Sequence, residues 1–508
     1  MINEISLKNF KGFKNLDQLK FKPVTILCGV NSSGKSSILQ SILLAKQTVE
    51  SQNPNQTLLL NGRFVHLGTF ENIIFSKNPN KPVSLNFSFN TMTGEGRERV
   101  PLPFLLRGFL PQVNRDQQIA SINIKYKISL MIADKENGLH TVRNPVVSQY
   151  SFDVRAETMK GKTIQGASVE LNLVEDSTFN YIWRNLGTFD LEFDDESTTE
   201  ETYSGEDLVV CHFGNLSPRM LRPKKEIEEE DTPKRFPDFF WIHFIREILR
   251  TIFSTYTYLG PLREEPSRRY IYEDEVVEIG IKGENAAYIY QRDQNKRIFN
   301  HSFYNKNQET FKKIKITTLS NAVHEWMSAM GIKDFQPEPL QEIIYLNLDS
   351  SMTTDTRVNI ADVGFGVSQI FPIILEGLRM PESNTLLLEQ PEIHLHPNLQ
   401  MQMADFFLSL ALSDKSVIVE THSDHIVNRL VRRIVEDENN QYRDLIGIYF
   451  FKPTKEGAVF EEIEIDENRG IINWPDDFFD QTASEQEKII LAGLEKRRKT
   501  RETNSGGI

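Results

Sequence analysis

The chain has 508 residues, a formal net charge of −13, and a composition that is 39% hydrophobic and 10% aromatic. That length exceeds what one hydrophobic core serves, so two or more domains, or one with a large insertion, are expected. The apolar fraction excludes a disordered chain, and the acidic balance argues against a protein that coats nucleic acid while leaving room for local basic patches.

Residues 5–10 read as a strand, with Ile5, Leu7 and Phe10 set among polar neighbours. The opening carries charge and lacks the apolar centre of a signal peptide. Residues 24–28 form a mostly apolar run that stops at Gly29 and suits a strand buried on both faces. Beyond the glycine, Ile38, Leu39, Ile42 and Leu43 recur at helical spacing, which predicts strand, loop and helix in succession. Between about 80 and 340 alternation predicts strands over 83–89, 122–132 and 169–173 and an aromatic helix over 237–253. Acidic tracts at 192–201 and 226–231 read as solvated loops. From 340 onward strands are expected over 343–348, 385–388, 416–420 and 445–451. Helices are expected over 366–378 and 397–412, the latter opened by Pro397, and after the 416–420 strand, where Ile426, Val427, Leu430, Val431 and Ile434 share a side. Alternating strands and helices predict an α/β sheet that is at least partly parallel. No run of about 18 apolar residues is present, so no membrane span is expected. Cys28 and Cys211 have no metal-type spacing. Together these features predict a soluble cytoplasmic protein.

Four segments carry chemistry. Gly29-Val30-Asn31-Ser32-Ser33-Gly34-Lys35-Ser36, with Ser37 after it, matches the phosphate-loop pattern G-x-x-x-x-G-K-[ST] and has the strand before and helix after that the pattern needs. Its glycines turn backbone N–H groups toward phosphates, and the helix dipole favours their charge. Lys35 is expected on the β/γ-phosphates and the Ser36 hydroxyl on Mg²⁺. The run Leu386-Leu387-Leu388 delivers Glu389 at a strand end, where a Mg²⁺-side carboxylate belongs, followed by Gln390, Pro391 and Glu392. Residues 417–420 are followed by Thr421 and His422, a histidine placed to touch a γ-phosphate or an attacking water. Gly364, Gly366, Ser368 and Gln369, just ahead of a helix, form a second phosphate-facing loop, or a capping loop.

In this order the segments resemble the ABC-type ATPases of the SMC/RecF/OLD group. The resemblance rests on Ile5-Ser-Leu-Lys-Asn-Phe-Lys-Gly-Phe13, the asparagine Asn31, Glu389-Gln-Pro-Glu-Ile-His394-Leu-His396-Pro, and Glu420-Thr-His422-Ser423, about a third of the chain. Tyr258-Leu-Gly-Pro-Leu-Arg263 is similar to a segment of bacterial OLD-like and PtuA-type AAA ATPases of anti-phage defence systems. The resemblance implies an ABC-type P-loop ATPase head with a mixed sheet plus a large α+β insertion. The expected division is 1–80 and 341–452 for the head, 81–340 for the insertion and 453–508 for a C-terminal extension. It implies ATP and Mg²⁺ as cofactors and a head-to-head homodimer, or a higher homo-oligomer. In that assembly Gly364, Gly366, Ser368 and Gln369 of one copy face the ATP of the other, and His394 and His396 occupy the interface-crossing D-loop. A metal pair is the other reading of these two histidines.

The chain departs from the family at Gln390, where a glutamate is usual. An amide cannot accept a proton from water, so hydrolysis is expected to be slow, to use Glu392, or to need a partner. The segment 364–369 matches the signature loop only loosely, and no heptads for a coiled-coil arm are present. The functional expectation is an ATPase that controls an effector such as a nuclease, in phage defence or nucleic-acid maintenance. The alternatives are a nucleic-acid-processing enzyme with its own nuclease centre in the insertion, and a transport ATPase subunit. Arg222-Pro-Lys-Lys225, Lys312-Lys313-Ile-Lys315 and the arginines between 429 and 433 can touch DNA or RNA, although solvated faces are the commoner use of such runs.

Overall fold

The computed structural model describes residues 1–92, 109–110, 119–137, 140–184, 204–224, 240–271, 278–306, 308–350, 356–473, 475 and 485–494. Both acidic tracts, and the basic segment 496–501, lie outside these residues.

The first elements are β1 (Ile2–Phe10), β2 (Phe13–Lys20), β3 (Val24–Gly29) and α1 (Lys35–Val49). A run of strands follows: β4 (Val83–Met92), β5 (Ile119–Asn137), β6 (His140–Thr158), β7 (Thr163–Glu175), β8 (Thr178–Arg184), β9 (Ser204–Gly214) and β10 (Ser217–Pro223). These seven strands pair consecutively and antiparallel, and β1 and β2 extend the edge beside β4. The result is a nine-stranded sheet in the order β10-β9-β8-β7-β6-β5-β4-β1-β2. Val83, Leu85, Phe87 and Phe89 alternate into its core, the period-2 pattern of a sheet with one covered face. The cover includes α2 (Phe240–Ser254), whose Phe253 meets Phe87 and Phe89 edge-on at 5.6 and 5.9 Å.

After α2 come β11 (Tyr256–Leu259), β12 (Tyr270–Ile271), the hairpin β13 (Arg297–Asn305) and β14 (Thr310–Thr318), and β15 (Gln336–Leu340), β16 (Ile343–Asp349) and β17 (Arg357–Asn359). The chain then alternates through α3 (Gly366–Arg379), β18 (Thr385–Glu389), α4 (Pro397–Ala411), β19 (Ser416–Glu420), α5 (Asp424–Glu436), β20 (Ile446–Thr454) and β21 (Gly457–Glu462). Six strands build the second sheet in the order β11-β18-β19-β3-β20-β21, parallel except at the β21 edge. The interval 81–340 therefore supplies an edge strand of this sheet, because Tyr256 to Leu259 pair with Thr385 to Leu388.

This second sheet is covered on both sides, which is why its strands read as unbroken apolar runs. Leu27, Leu387, Ile418, Tyr449 and Phe451 join the core shared with the nine-stranded sheet. Val24, Ile26, Leu386, Leu388, Val417, Val419, Ile448 and Phe450 face the opposite core with α3, α4 and α5. Helix α1 belongs to the shared core, which fixes the C-terminal anchor of the exposed loop that precedes it. A direct tie joins the sheets: the backbone N–H of Ile2 donates to the Tyr256 hydroxyl at 2.5 Å. Among the described residues no helix is long and apolar enough to cross a membrane.

Candidate nucleotide site

Five parallel strands end on one side of the second sheet. Ligands of open α/β sheets bind at such carboxyl ends. Gly29 closes β3 at φ +132°, and a Cβ there would lie 2.1 Å from the Phe451 carbonyl oxygen. Gly34 caps α1 at φ +94°, where a Cβ would press on the Phe13 ring at 2.8 Å. Only glycine fits both positions, and between them Asn31 and Ser32 are exposed while Ser33 is buried. Ser37 is buried in the first turn of α1. The Lys35 ammonium folds back over the loop and donates to the carbonyls of Gly29 at 3.1 Å and Val30 at 2.8 Å. Burial lowers its pKa, opposed chiefly by Glu420.

The Ser36 hydroxyl donates to Glu420 Oε1 at 2.8 Å. Glu420 ends β19, opposite Glu389 at the end of β18 and Leu27 in β3. Burial, then the neighbouring charge of Glu389, pushes its carboxyl up to about 7. Sequence reasoning assigned no role to Glu420, although an apolar strand delivering a carboxylate is the very signal that singled out Glu389.

Glu389 sits in a different set of contacts. Its Oε1 accepts from the Tyr258 hydroxyl at 2.9 Å, and its pKa is raised by burial, opposed by that hydrogen bond, Arg263 and Lys11. Arg263 is 4% exposed and donates to the carbonyls of Glu389 at 3.0 Å and Gln390 at 2.9 Å. Its burial lowers the guanidinium to about 10. Gln390 takes a positive φ of 46° and donates its N–H to the Glu420 carbonyl at 2.7 Å. Tyr258 and Arg263 thus brace the strand end, Lys11 offsets its charge, and none of the three stood out by residue type. Their segments were legible only as pieces of resemblance.

Both oxygens of Glu392 are engaged: Oε2 accepts from the Thr421 hydroxyl at 2.8 Å and Oε1 from the His422 N–H at 2.6 Å. Its pKa is raised by burial and pulled back by these donors. Glu392 therefore fixes where His422 sits. The imidazole is half-buried, and burial together with the Lys35 charge lowers its pKa, favouring the neutral ring.

The 364–369 segment shares a cavity with Arg263, the residue that holds the Glu389 and Gln390 carbonyls. Gly366 opens α3, the Ser368 hydroxyl donates to the Phe365 carbonyl at 2.8 Å, and Gly364 has open space around it. Phe365 is 50% exposed, and its ring lies 5.9 Å from that of His394. Leu262, Arg263, Glu264, Glu265, Lys282, Phe365, Gln369 and His394 line a cavity of about 390 Å³. His396 caps α4, its Nδ1 accepting from the Asn398 N–H at 3.3 Å. Among the described residues no group of three or more His, Cys, Asp and Glu is arranged to hold a metal by itself. Oxygen donors from Ser36 and the strand-end carboxylates do converge beside the phosphate loop, the donor chemistry that suits Mg²⁺ accompanying a nucleotide. Of the basic runs, Arg429 and Arg433 are taken up by buried Asp405, at 2.9 and 2.7 Å, and so join α5 to α4.

Solved SMC heads resemble the fold only distantly. One is the SmcHead bound to the C-winged helix domain of ScpA, at 11% identity and a TM-score of 0.38 over 92% of this chain and 98% of that one. Another is the SMC head domain from Thermotoga maritima, at 12% identity and a TM-score of 0.35 over 91% and 99%. A 100-residue stretch, 20% of this chain, is 26% identical to the uncharacterized chromosomal cassette SCCmec type IVc protein CR006 of Staphylococcus aureus strain MRSA252, and covers 13% of that protein's length. Residues 443–489 match the family described as a protein of unknown function, DUF3696. Residues 1–427, which hold the phosphate loop, both strand-end carboxylates and His422, match the model of the AAA ATPase domain, and the chain belongs to that family.

Proposed function

We propose that this protein binds ATP on the 29–36 loop, with Mg²⁺ held by Ser36 and Glu389, hydrolyses it slowly, and uses the nucleotide to bring two copies together head to head. In this reading the dimer controls a partner effector such as a nuclease, in anti-phage defence or nucleic-acid maintenance. The observation that carries the reading is the loop itself, with two positions restricted to glycine, Lys35 poised over its carbonyls and Ser36 against a buried carboxylate.

The chemistry follows from the same residues. Loop N–H groups and the N-terminus of α1 receive phosphate oxygens. Lys35 exchanges its two carbonyl partners for the more negative β/γ-phosphates. The bound cation supplies charge neutralisation at the phosphates. His422, held by Glu392 and neutral, is suited to hydrogen-bond the γ-phosphate or the attacking water. Gln390 can orient that water but cannot take its proton, which makes turnover slow and occupancy long, as a switch requires. The exposed Phe365 and His394 beside the 364–369 segment form the face that meets the second copy's ATP.

Sedimentation of the full chain with and without ATP and Mg²⁺ tests the switch. Wild type is expected to shift from monomer to dimer with nucleotide, and Lys35→Ala to remain monomeric. A Lys35→Ala chain that dimerises as wild type does would refute it.

A further inference from the structure

Glu420 has no part in the roles given above, yet it is the carboxylate that touches the phosphate loop. Strand order explains why. β19 lies between β18 and β3, and neighbouring strands are about 4.8 Å apart. The end of β19 is therefore one strand from Gly29, while the end of β18 is two strands away, about 10 Å. Glu389 is already engaged by the Tyr258 hydroxyl, with Arg263 and Lys11 close enough to offset its charge.

Glu420 has far less to satisfy it. The residue is 4% exposed, Oε1 accepts from Ser36, and Oε2 is buried with no hydrogen-bond partner. A buried carboxylate oxygen without a donor is costly, and Lys35, its nearest cation by effect, is the group that turns to phosphate once nucleotide binds. The Ser36 Oγ to Glu420 Oε1 distance is 2.8 Å. Two oxygens on adjacent corners of an octahedral Mg²⁺ at 2.0–2.1 Å stand about 2.9 Å apart. The two oxygens, now joined by a hydrogen bond, can therefore take one ion between them without moving apart.

We propose that Glu420 is a cation-side carboxylate of this site and acts with Ser36 on the Mg²⁺ that accompanies the nucleotide. Glu389, braced by Tyr258 and Arg263, then works from farther out. The proposal rests on the nucleotide reading of the 29–36 loop and adds to it a specific residue.

Mn²⁺ is the probe. It is titrated into the full-length chain saturated with a non-hydrolysable ATP analogue, and free Mn²⁺ is read by electron paramagnetic resonance. Analogue affinity is measured separately in EDTA. Glu420→Gln is expected to weaken Mn²⁺ about tenfold or more, Ser36→Ala comparably, and Glu389→Gln less. The analogue affinity in EDTA separates a loss of the cation from a loss of the nucleotide. Wild-type Mn²⁺ affinity in Glu420→Gln, with a loss confined to Glu389→Gln, would overturn the proposal and leave the nucleotide reading standing. A wild-type chain that fails to bind the analogue overturns the nucleotide reading itself. Should Glu420→Gln fail to fold, by circular dichroism, Glu420→Asp carries the test: the charge is kept but withdrawn by one methylene, and weakened Mn²⁺ binding is again the expected result, unchanged binding the refuting one.

Discussion

The two sheets solve different problems with the same alternation of side chains. In the nine-stranded sheet each strand pairs with its sequence neighbour from β4 to β10, so local hairpins set the register and the buried positions are filled mainly by apolar groups. In the six-stranded sheet only β20 and β21 form a local hairpin, and β3 sits between β19 and β20, which lie about four hundred residues downstream. Its ends gather charged groups instead, namely the half-buried carboxylates Glu389 and Glu392, the buried carboxylate Glu420 and the buried cation Lys35. Such groups are tolerated at a site because surrounding structure over-determines them. The difference separates a layer that stabilises from an edge that binds.

That separation is broken most forcefully at Gly29. Adding one methyl, Gly29→Ala, puts a Cβ 2.1 Å from the Phe451 carbonyl oxygen at a φ of +132°. Relief requires the β3–β20 pair to part at its end. A destabilisation of about 3 kcal/mol or more is expected, together with loss of ATP binding. Thermal unfolding and calorimetric titration with ATP check both. Retained ATP affinity would mean the loop is not the phosphate site.

A smaller, opposite effect is expected at Gln390. The residue holds a positive φ at the turn out of β18, pinned by its N–H to the Glu420 carbonyl and by Arg263 on its own carbonyl. Its backbone is thus set independently of its side-chain terminus, so Gln390→Glu should change the chemistry and leave the turn intact. With a proton acceptor in place, turnover is expected to rise about tenfold or more, with the KM for ATP little changed. A fall in phosphate release would show that the amide is the group this site uses.

These residues also mark what was legible beforehand. The phosphate loop, the runs ending in Glu389 and Glu420, the helix start at Pro397 and the apolar side of the helix after β19 could be read because each is a local pattern of spacing or capping. Tyr256–Leu259 is only four residues long, too short to display a period, and its place beside β18 is a contact across more than a hundred residues. Tyr258 and Arg263 inherit that obscurity. Glu420 was passed over for a different reason. Its signal equalled that of Glu389, but nothing in a sequence says which of two strands lies next to the phosphate loop. Strand order is a packing property, and it alone brings Glu420 to Ser36.

The mildest test belongs to the other sheet. Tyr126 in β5 is fully buried, and its hydroxyl donates to the Leu216 carbonyl at 2.8 Å, in the turn between β9 and β10. That turn needs the anchor because Asn215 and Leu216 both hold positive φ, 51° and 60°, and leucine adopts that conformation at a cost. The two residues are held from the other side as well, by hydrogen bonds from their N–H groups to the carbonyls of Gln56 and Thr57 at 2.8 and 3.2 Å. Tyr126→Phe keeps the ring in the aromatic core with Phe87 and Tyr150 and removes one buried hydrogen bond, worth about 1 kcal/mol. Amide hydrogen exchange at Asn215 and Leu216 should quicken, while ATP affinity stays at the wild-type value. A changed ATP affinity would mean that strain in the nine-stranded sheet reaches the phosphate loop through α1, and the two sheets would then have to be treated as one functional unit.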